Sequence, residues 1–175
     1  MGGMSSSAAL LRERLGLPSA ERPLEQRLAW SRYPPGLALG QLVLLQGPGR
    51  TQAVAGLLAE HPLMAAAWVE ERLSAYPPGL AQQGVALERL LFVESGSQGL
   101  WVLAQLLRCQ AFKVVVAASP LRGAELEAAL RRLQLAAERS QSLLLLLAPP
   151  EGPAWTVRLR LRCGDAGLVQ DREGA

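Results

Sequence analysis

The chain has 175 residues, half of them apolar and 5% aromatic, with a net charge of +3. That is enough for one domain with a substantial core, and a Leu/Ala/Val-rich interior suits helices packed on a buried parallel sheet better than a β-sandwich. The longest strongly apolar run, Leu143 to Ala148, is far short of the roughly 20 residues that cross a bilayer, so no membrane contact and a cytoplasmic location are expected.

In chain order, residues 1–20 read as a flexible N-terminal arm with a short helical pattern at Ala8 to Leu15, broken at Gly16-Leu17-Pro18. A second helix is expected over Pro23 to Ser31, stopped by Tyr33-Pro34-Pro35-Gly36. Gln41 to Gln46 follows as a buried strand, then the loop Gly47-Pro48-Gly49-Arg50-Thr51 and a helix over Thr51 to Glu60. Ala66 to Glu70 is the next strand, Tyr76 to Gly84 a turn-rich segment, Leu90 to Val93 a strand, and Gln98 to Cys109 a helix. Lys113 to Ala118 and Ser142 to Leu147 read as strands that flank the helix Arg122 to Arg139, whose Leu126, Ala129, Leu130, Leu133 and Ala137 mark one buried face. Trp155 to Arg162 alternates apolar residues with Thr156, Arg158, Arg160 and Arg162, predicting an edge strand with an arginine-lined face. From Cys163 to Ala175 a disordered tail is expected, and the alternation as a whole predicts an α/β, doubly wound, mostly parallel sheet with flanking helices and a C-terminal edge strand. The string Tyr-Pro-Pro-Gly-Leu occurs at Tyr33 to Leu37 and at Tyr76 to Leu80, read as one turn used twice.

Charge is unevenly spread. Residues 1–107 carry eight Arg and eight acids, residues 108–162 carry nine Lys or Arg against four acids, and the rest is acidic. The C-terminal excess, almost all arginine, is either a surface for phosphates and carboxylates or a solvated face. Arg131, Arg132, Arg139, Arg158, Arg160 and Arg162 are the candidate contacts to DNA or to a partner. Two cysteines 54 residues apart and one histidine give no metal-ligand spacing. Cys109 is expected in the core and Cys163 near a loose end, both as free thiols. His61, ahead of Pro62, reads as a turn residue, and Ser95-Gly96-Ser97 as a strand-to-helix connection with Ser97 as N-cap.

A working phosphate loop reads G-x-x-x-x-G-K-[ST], because backbone amides wrap the phosphates, lysine reaches the terminal groups and the hydroxyl holds magnesium. Here the same place holds Gly47, Pro48, Gly49, Arg50 and Thr51. It is shorter by about three residues and has arginine for lysine. Gly47, Gly49, Arg50 and Thr51 are therefore the residues of a vestigial nucleotide-binding loop. Two readings remain for it, a weak anion site at a helix N-terminus and a plain tight turn.

From Tyr33 to about Arg162 the chain resembles the RecA-like SOS mutagenesis proteins of the ImuA family, relatives of RecA and of the division inhibitor SulA. The resemblance rests on Tyr76-Pro77-Pro78-Gly79-Leu80-Ala81 with Gly84-Val85 and Leu90-Leu91-Phe92-Val93. It continues in Leu100-Trp101-Val102-Leu103-Ala104-Gln105 and in Leu130-Arg131-Arg132-Leu133-Gln134-Leu135-Ala136-Ala137-Glu138. It implies a RecA-like core over residues 21–162. Against RecA, the stretch Trp68 to Val93 aligns without gaps and sets Arg72 where the water-activating glutamate stands, with Glu70 and Glu71 displaced as surface or strand-end charges. Ala118 falls where the magnesium-binding aspartate ends its strand, and Ser119 to Arg122 leaves no room for a long DNA-holding loop. The resemblance thus implies no catalytic residue and no cofactor. It implies an accessory of error-prone translesion synthesis whose partners are ImuB, RecA or its filament, and indirectly an error-prone C-family DNA polymerase, with DNA a further candidate. The alternatives are a DNA-dependent ATPase with a degenerate loop and a SulA-like inhibitor of FtsZ.

Overall fold

The computed structural model describes residues 26–148, 155–164 and 167–170, so the expected arm at 1–20 lies outside the described residues. Three largely apolar segments build the centre. Leu42–Gln46 (β3), Val114–Ala117 (β6) and Leu143–Leu146 (β7) are buried over nearly every residue, as strands covered on both faces must be. Ala66–Glu70 (β4) and Leu90–Glu94 (β5) extend the sheet on one side, Leu159–Gly164 (β8) and Gly167–Gln170 (β9) on the other. The order is β5-β4-β6-β7-β3-β8-β9, with every pair parallel except β8 with β9. The predicted α/β class and mostly parallel sheet are the observed ones.

Side chains alternate across this sheet. Val43, Leu45, Trp68, Val114, Val116, Leu143 and Leu145 face one layer, which holds the helices Arg50–Glu60 (α1) and Pro77–Gln82 (α2). Leu42, Leu44, Val69, Val115, Ala117, Leu144 and Leu146 face the other, with Gly99–Arg108 (α3) and Leu126–Ser140 (α4). The predicted face of α4 is the buried one at Leu126, Leu130, Leu133 and Ala137.

Four expectations change. Instead of a helix up to Ser31, Arg27–Leu28 (β1) pairs antiparallel with Leu37–Ala38 (β2). Leu28 and the buried Trp30 both meet the core, a spacing of two rather than 3.6, and Arg27 closes the hairpin by donating to the Pro35 and Gly36 carbonyls at 2.8 and 3.0 Å. The strand expected from Trp155 begins at Leu159, and it is interior, since β3 flanks it on one side and β9 on the other. The boundary placed after Arg162 falls inside that strand: Cys163 and Gly164 complete β8 and Gly167–Gln170 forms the true edge, while 165–166 and 171–175 lie outside the described residues. The helix expected from Arg122 starts at Leu126.

Candidate functional site

Two places carry the residues singled out by the sequence: the rim at the C-terminal ends of the parallel strands, and a groove along α4.

At the rim, β3 runs into Gly47-Pro48-Gly49 and α1 starts at Arg50. Both glycines need the left-handed region, φ +90° at Gly47 and +76° at Gly49. A Cβ on Gly47 would stand 2.6 Å from the Cys163 carbonyl oxygen, so the loop is pressed against β8. Arg50 turns back and donates from Nη1 to the Gly47 carbonyl oxygen at 3.3 Å. Gly49 caps α1 without a side-chain hydrogen bond. The exposed Arg50 and Thr51 border a shallow hollow that also touches Tyr76, Gly79 and Leu80.

Further along the rim Glu70 is buried, 5% exposed, and fully engaged. Its carboxylate accepts the Trp68 Nε1–H at 3.0 Å and the backbone N–H groups of Ser74 and Ala75. Burial raises the carboxyl pKa, and the bonds from Ser74, Trp68 and Ala75 outweigh that, leaving it below the usual carboxylate value. Of the two places expected for it, the surface and a strand end, it takes the second, closing β4 as a buried clamp for the chain that leaves the strand. The signal was Trp68, two residues earlier on the same strand face and in need of an acceptor. Arg72 is exposed. Ala118 donates its N–H to the Val69 carbonyl at 2.9 Å and brings a methyl group alone. Glu71, Ser95, Ser119 and Arg122 line a cleft of about 180 Å³. There Ser119 Oγ accepts the Glu71 N–H at 2.8 Å, Arg122 lies 3.9 Å from the Glu71 carboxylate, and Ser95 Oγ donates to the Glu70 carbonyl. Ser97 is not the expected N-cap, because a 3-10 turn over Gly96–Gln98 intervenes before α3 and neither start has a side-chain cap.

The groove, about 740 Å³, is lined by α4, the segment Trp155 to Leu159 and Ala38 to Leu42. Gln134 ties its helix to the sheet, accepting the Leu42 N–H at 3.1 Å and donating to the Gly40 carbonyl at 2.8 Å. Glu127 Oε1 accepts the Thr156 hydroxyl at 2.6 Å and the Thr156 N–H at 3.0 Å, and Arg131 lies 3.5 Å from it. The Thr156 hydroxyl is the largest influence holding Glu127 below the usual carboxylate value. Leu135 and Trp155 stand 52% and 76% exposed in this groove.

Of the six arginines, Arg131 and Arg158 line this groove. Arg132 and Arg139, seven residues apart on α4, share a separate exposed stripe. Arg160 and Arg162 lie in register with Leu44 and Gln46, continuing the α4-side face of the sheet, and both have partners. An interior strand leaves them no role in guarding an edge. The cysteines reverse their expected places, Cys109 being exposed and Cys163 buried, and both are free thiols. Burial pushes the Cys163 thiol up. His61 caps α1 at its C-terminus, its Nε2 2.7 Å from the Ala29 carbonyl. Among the described residues no cluster could hold a metal ion, and no helix is long and apolar enough to cross a membrane.

No known family model matches the chain, and no curated protein does. Among solved structures it is similar to SulA from Pseudomonas aeruginosa, at 21% identity over 62% of this chain and 96% of that one, with a TM-score of 0.49.

Proposed function

We propose that this chain is a non-catalytic, RecA-like accessory of SOS-induced error-prone translesion synthesis, a member of the ImuA family that binds ImuB and RecA and through them serves an error-prone C-family polymerase. The observation that carries the non-catalytic part is the state of the β3 loop. Gly47 packs the loop backbone against the Cys163 carbonyl, Arg50 is spent on the loop's own Gly47 carbonyl, and the resemblance to RecA sets Ala118 at the position of the magnesium-binding aspartate. A phosphate cradle needs free amides, a reaching cation and a carboxylate at once. The partners come from the sequence resemblance through the β4–β5 and α3–α4 stretches. For the partner surface we favour the outer stripe of α4, where Arg132 and Arg139 are exposed on one line.

The test is a pull-down of the full chain with ImuB and with RecA. Retention is expected, and Arg132→Glu with Arg139→Glu is expected to weaken it at least tenfold, about 1.4 kcal/mol, with the melting temperature unchanged. Failure of the native chain to retain either partner overturns the accessory reading. Phosphate release with and without DNA is measured alongside. Turnover that Arg50→Ala and Thr51→Ala abolish would replace the reading with a DNA-dependent ATPase. Overproduction that filaments cells without raising mutagenesis would replace it with a division inhibitor.

A further inference from the structure

The sheet ends on one side at β5, and among the described residues nothing pairs with the outer side of that strand. The Ser95 N–H donates to the Glu70 carbonyl at 2.8 Å, which sets the phase of the strand. Leu91, Val93 and Ser95 turn their N–H and C=O groups toward β4, so Leu90, Phe92 and Glu94 turn theirs outward. The Leu90 N–H returns to the Leu87 carbonyl. The outer edge thus offers the carbonyls of Leu90, Phe92 and Glu94 and the N–H groups of Phe92 and Glu94. Chains ordinarily guard such an edge with lysine, proline, a bulge or a very short strand. β5 uses none of these: Leu90 to Glu94 run in unbroken register with Ala66 to Glu70, and Leu-Leu-Phe-Val precedes the single acid. Leu91 is 46% exposed on this edge. Leu73, 45% exposed, is held beside its end by donating its N–H to the Glu94 carboxylate at 3.0 Å.

We propose that β5 pairs antiparallel with β5 of a second copy of this chain, about a twofold axis through Phe92, joining the two sheets into one. Charge selects the direction, because exposed Arg89 stands at the entry of the strand and exposed Glu94 at its exit. A parallel copy would set Glu94 beside Glu94, whereas an antiparallel one sets each acidic end beside the basic end of the other copy. With Phe92 opposite Phe92, the two residues exchange N–H to carbonyl bonds across the axis, and each Glu94 N–H reaches the Leu90 carbonyl of the other copy. Those bonds use only groups already turned outward, and the Leu90 N–H, held by Leu87, is not needed. On one face of the joined sheet the two Phe92 rings meet. On the other, exposed Leu91 covers Val93 of the second copy, and the reverse contact repeats it. The edge is self-complementary, as a twofold interface requires. The inference involves neither ImuB nor RecA and stands apart from the accessory reading.

Sedimentation velocity of the full chain across micromolar concentrations is expected to show a monomer–dimer equilibrium. Leu91→Lys, which places a guarding lysine at an exposed position, is expected to weaken it by about tenfold or more with the melting temperature unchanged. Register is read by disulfide trapping in chains that carry Cys109→Ser, since Cys163 is buried. In the proposed pairing Leu91 faces Val93 of the second copy at a Cα separation of about 4.5 Å, whereas like positions lie on the diagonal at about 7–8 Å, beyond ordinary disulfide reach. Mixing a Leu91→Cys chain with a Val93→Cys chain in a glutathione buffer should therefore trap about tenfold more dimer than either chain alone. A native chain that stays monomeric throughout overturns the proposal, as does a dimer that Leu91→Lys leaves intact. Equal trapping in mixed and single samples places the contact in another register and also overturns it.

Discussion

The rim and the groove are opposites. At the rim, where an α/β sheet of this kind ordinarily offers its ligand site, the groups that could act on a ligand are already committed: Arg50 to Gly47, Glu70 to Trp68, Ser74 and Ala75, Ser119 to Glu71. Along α4 the backbone is equally well satisfied by Gln134, yet side-chain atoms and apolar surface stand unmatched. Closing the rim gains rigidity and gives up chemistry. Leaving the groove open costs stability and keeps a surface on which something can dock.

Substitutions can break this contrast, and the largest effect belongs to the wall the groove shares with the core. Leu130→Ala removes a fully buried side chain between α4 and the sheet and should cost about 2–5 kcal/mol in urea unfolding. Next comes the rim clamp. Glu70→Gln weakens the acceptor for Ser74, Trp68 and Ala75 and should cost about 1.5–3 kcal/mol at neutral pH. Because the folded carboxyl titrates below its ordinary value of 4.5, this contribution is fully present above that value and is lost as pH falls through the folded pKa. The gap in melting temperature between the native chain and Glu70→Gln should therefore narrow on acidification. A gap that widens toward low pH would contradict the clamp.

Gly47→Ala should be somewhat milder, about 1–3 kcal/mol, from a positive φ and a contact with the Cys163 carbonyl that must give way. If it proves neutral, the loop is looser than the rim picture requires. The smallest effects sharpen the other side. Arg50→Ala and Leu135→Asp, at exposed positions, should each leave stability within about 0.5 kcal/mol. A larger loss from Leu135→Asp would mean that the groove is sealed in the folded chain.

Much of the sheet was legible because its inner strands are continuous apolar runs, and Leu143–Leu146 or Val114–Ala117 fit little else at that length. α4 was legible from its spacing. The candidate site was less so. That Arg50 replaces a lysine is visible in the sequence, whereas its bond to Gly47 depends on a loop bent against β8. That Arg158 shares a groove with Arg131, while Arg132 stands outside it, depends on where the chain returns after β7. The strand at Leu159–Gly164 was read from its alternation, but alternation reports two unlike faces and says nothing of neighbours. Its interior place came from β9, whose Gly167–Gln170 carries too few apolar residues to announce a strand.

The pentapeptide Tyr-Pro-Pro-Gly-Leu divides the two kinds of information. By itself it determines a turn, and both copies make the same one: the Gly36 N–H donates to the Tyr33 carbonyl at 2.7 Å and the Gly79 N–H to the Tyr76 carbonyl at 3.0 Å. Beyond the turn the two copies diverge. Gly36 takes φ +67° and sends Leu37 into β2 against Leu28, while the second copy continues as α2 and buries Leu80. The prolines fix the local angles in each copy. Tertiary structure decides the rest, because one leucine finds a strand to pair with and the other an apolar layer beneath it.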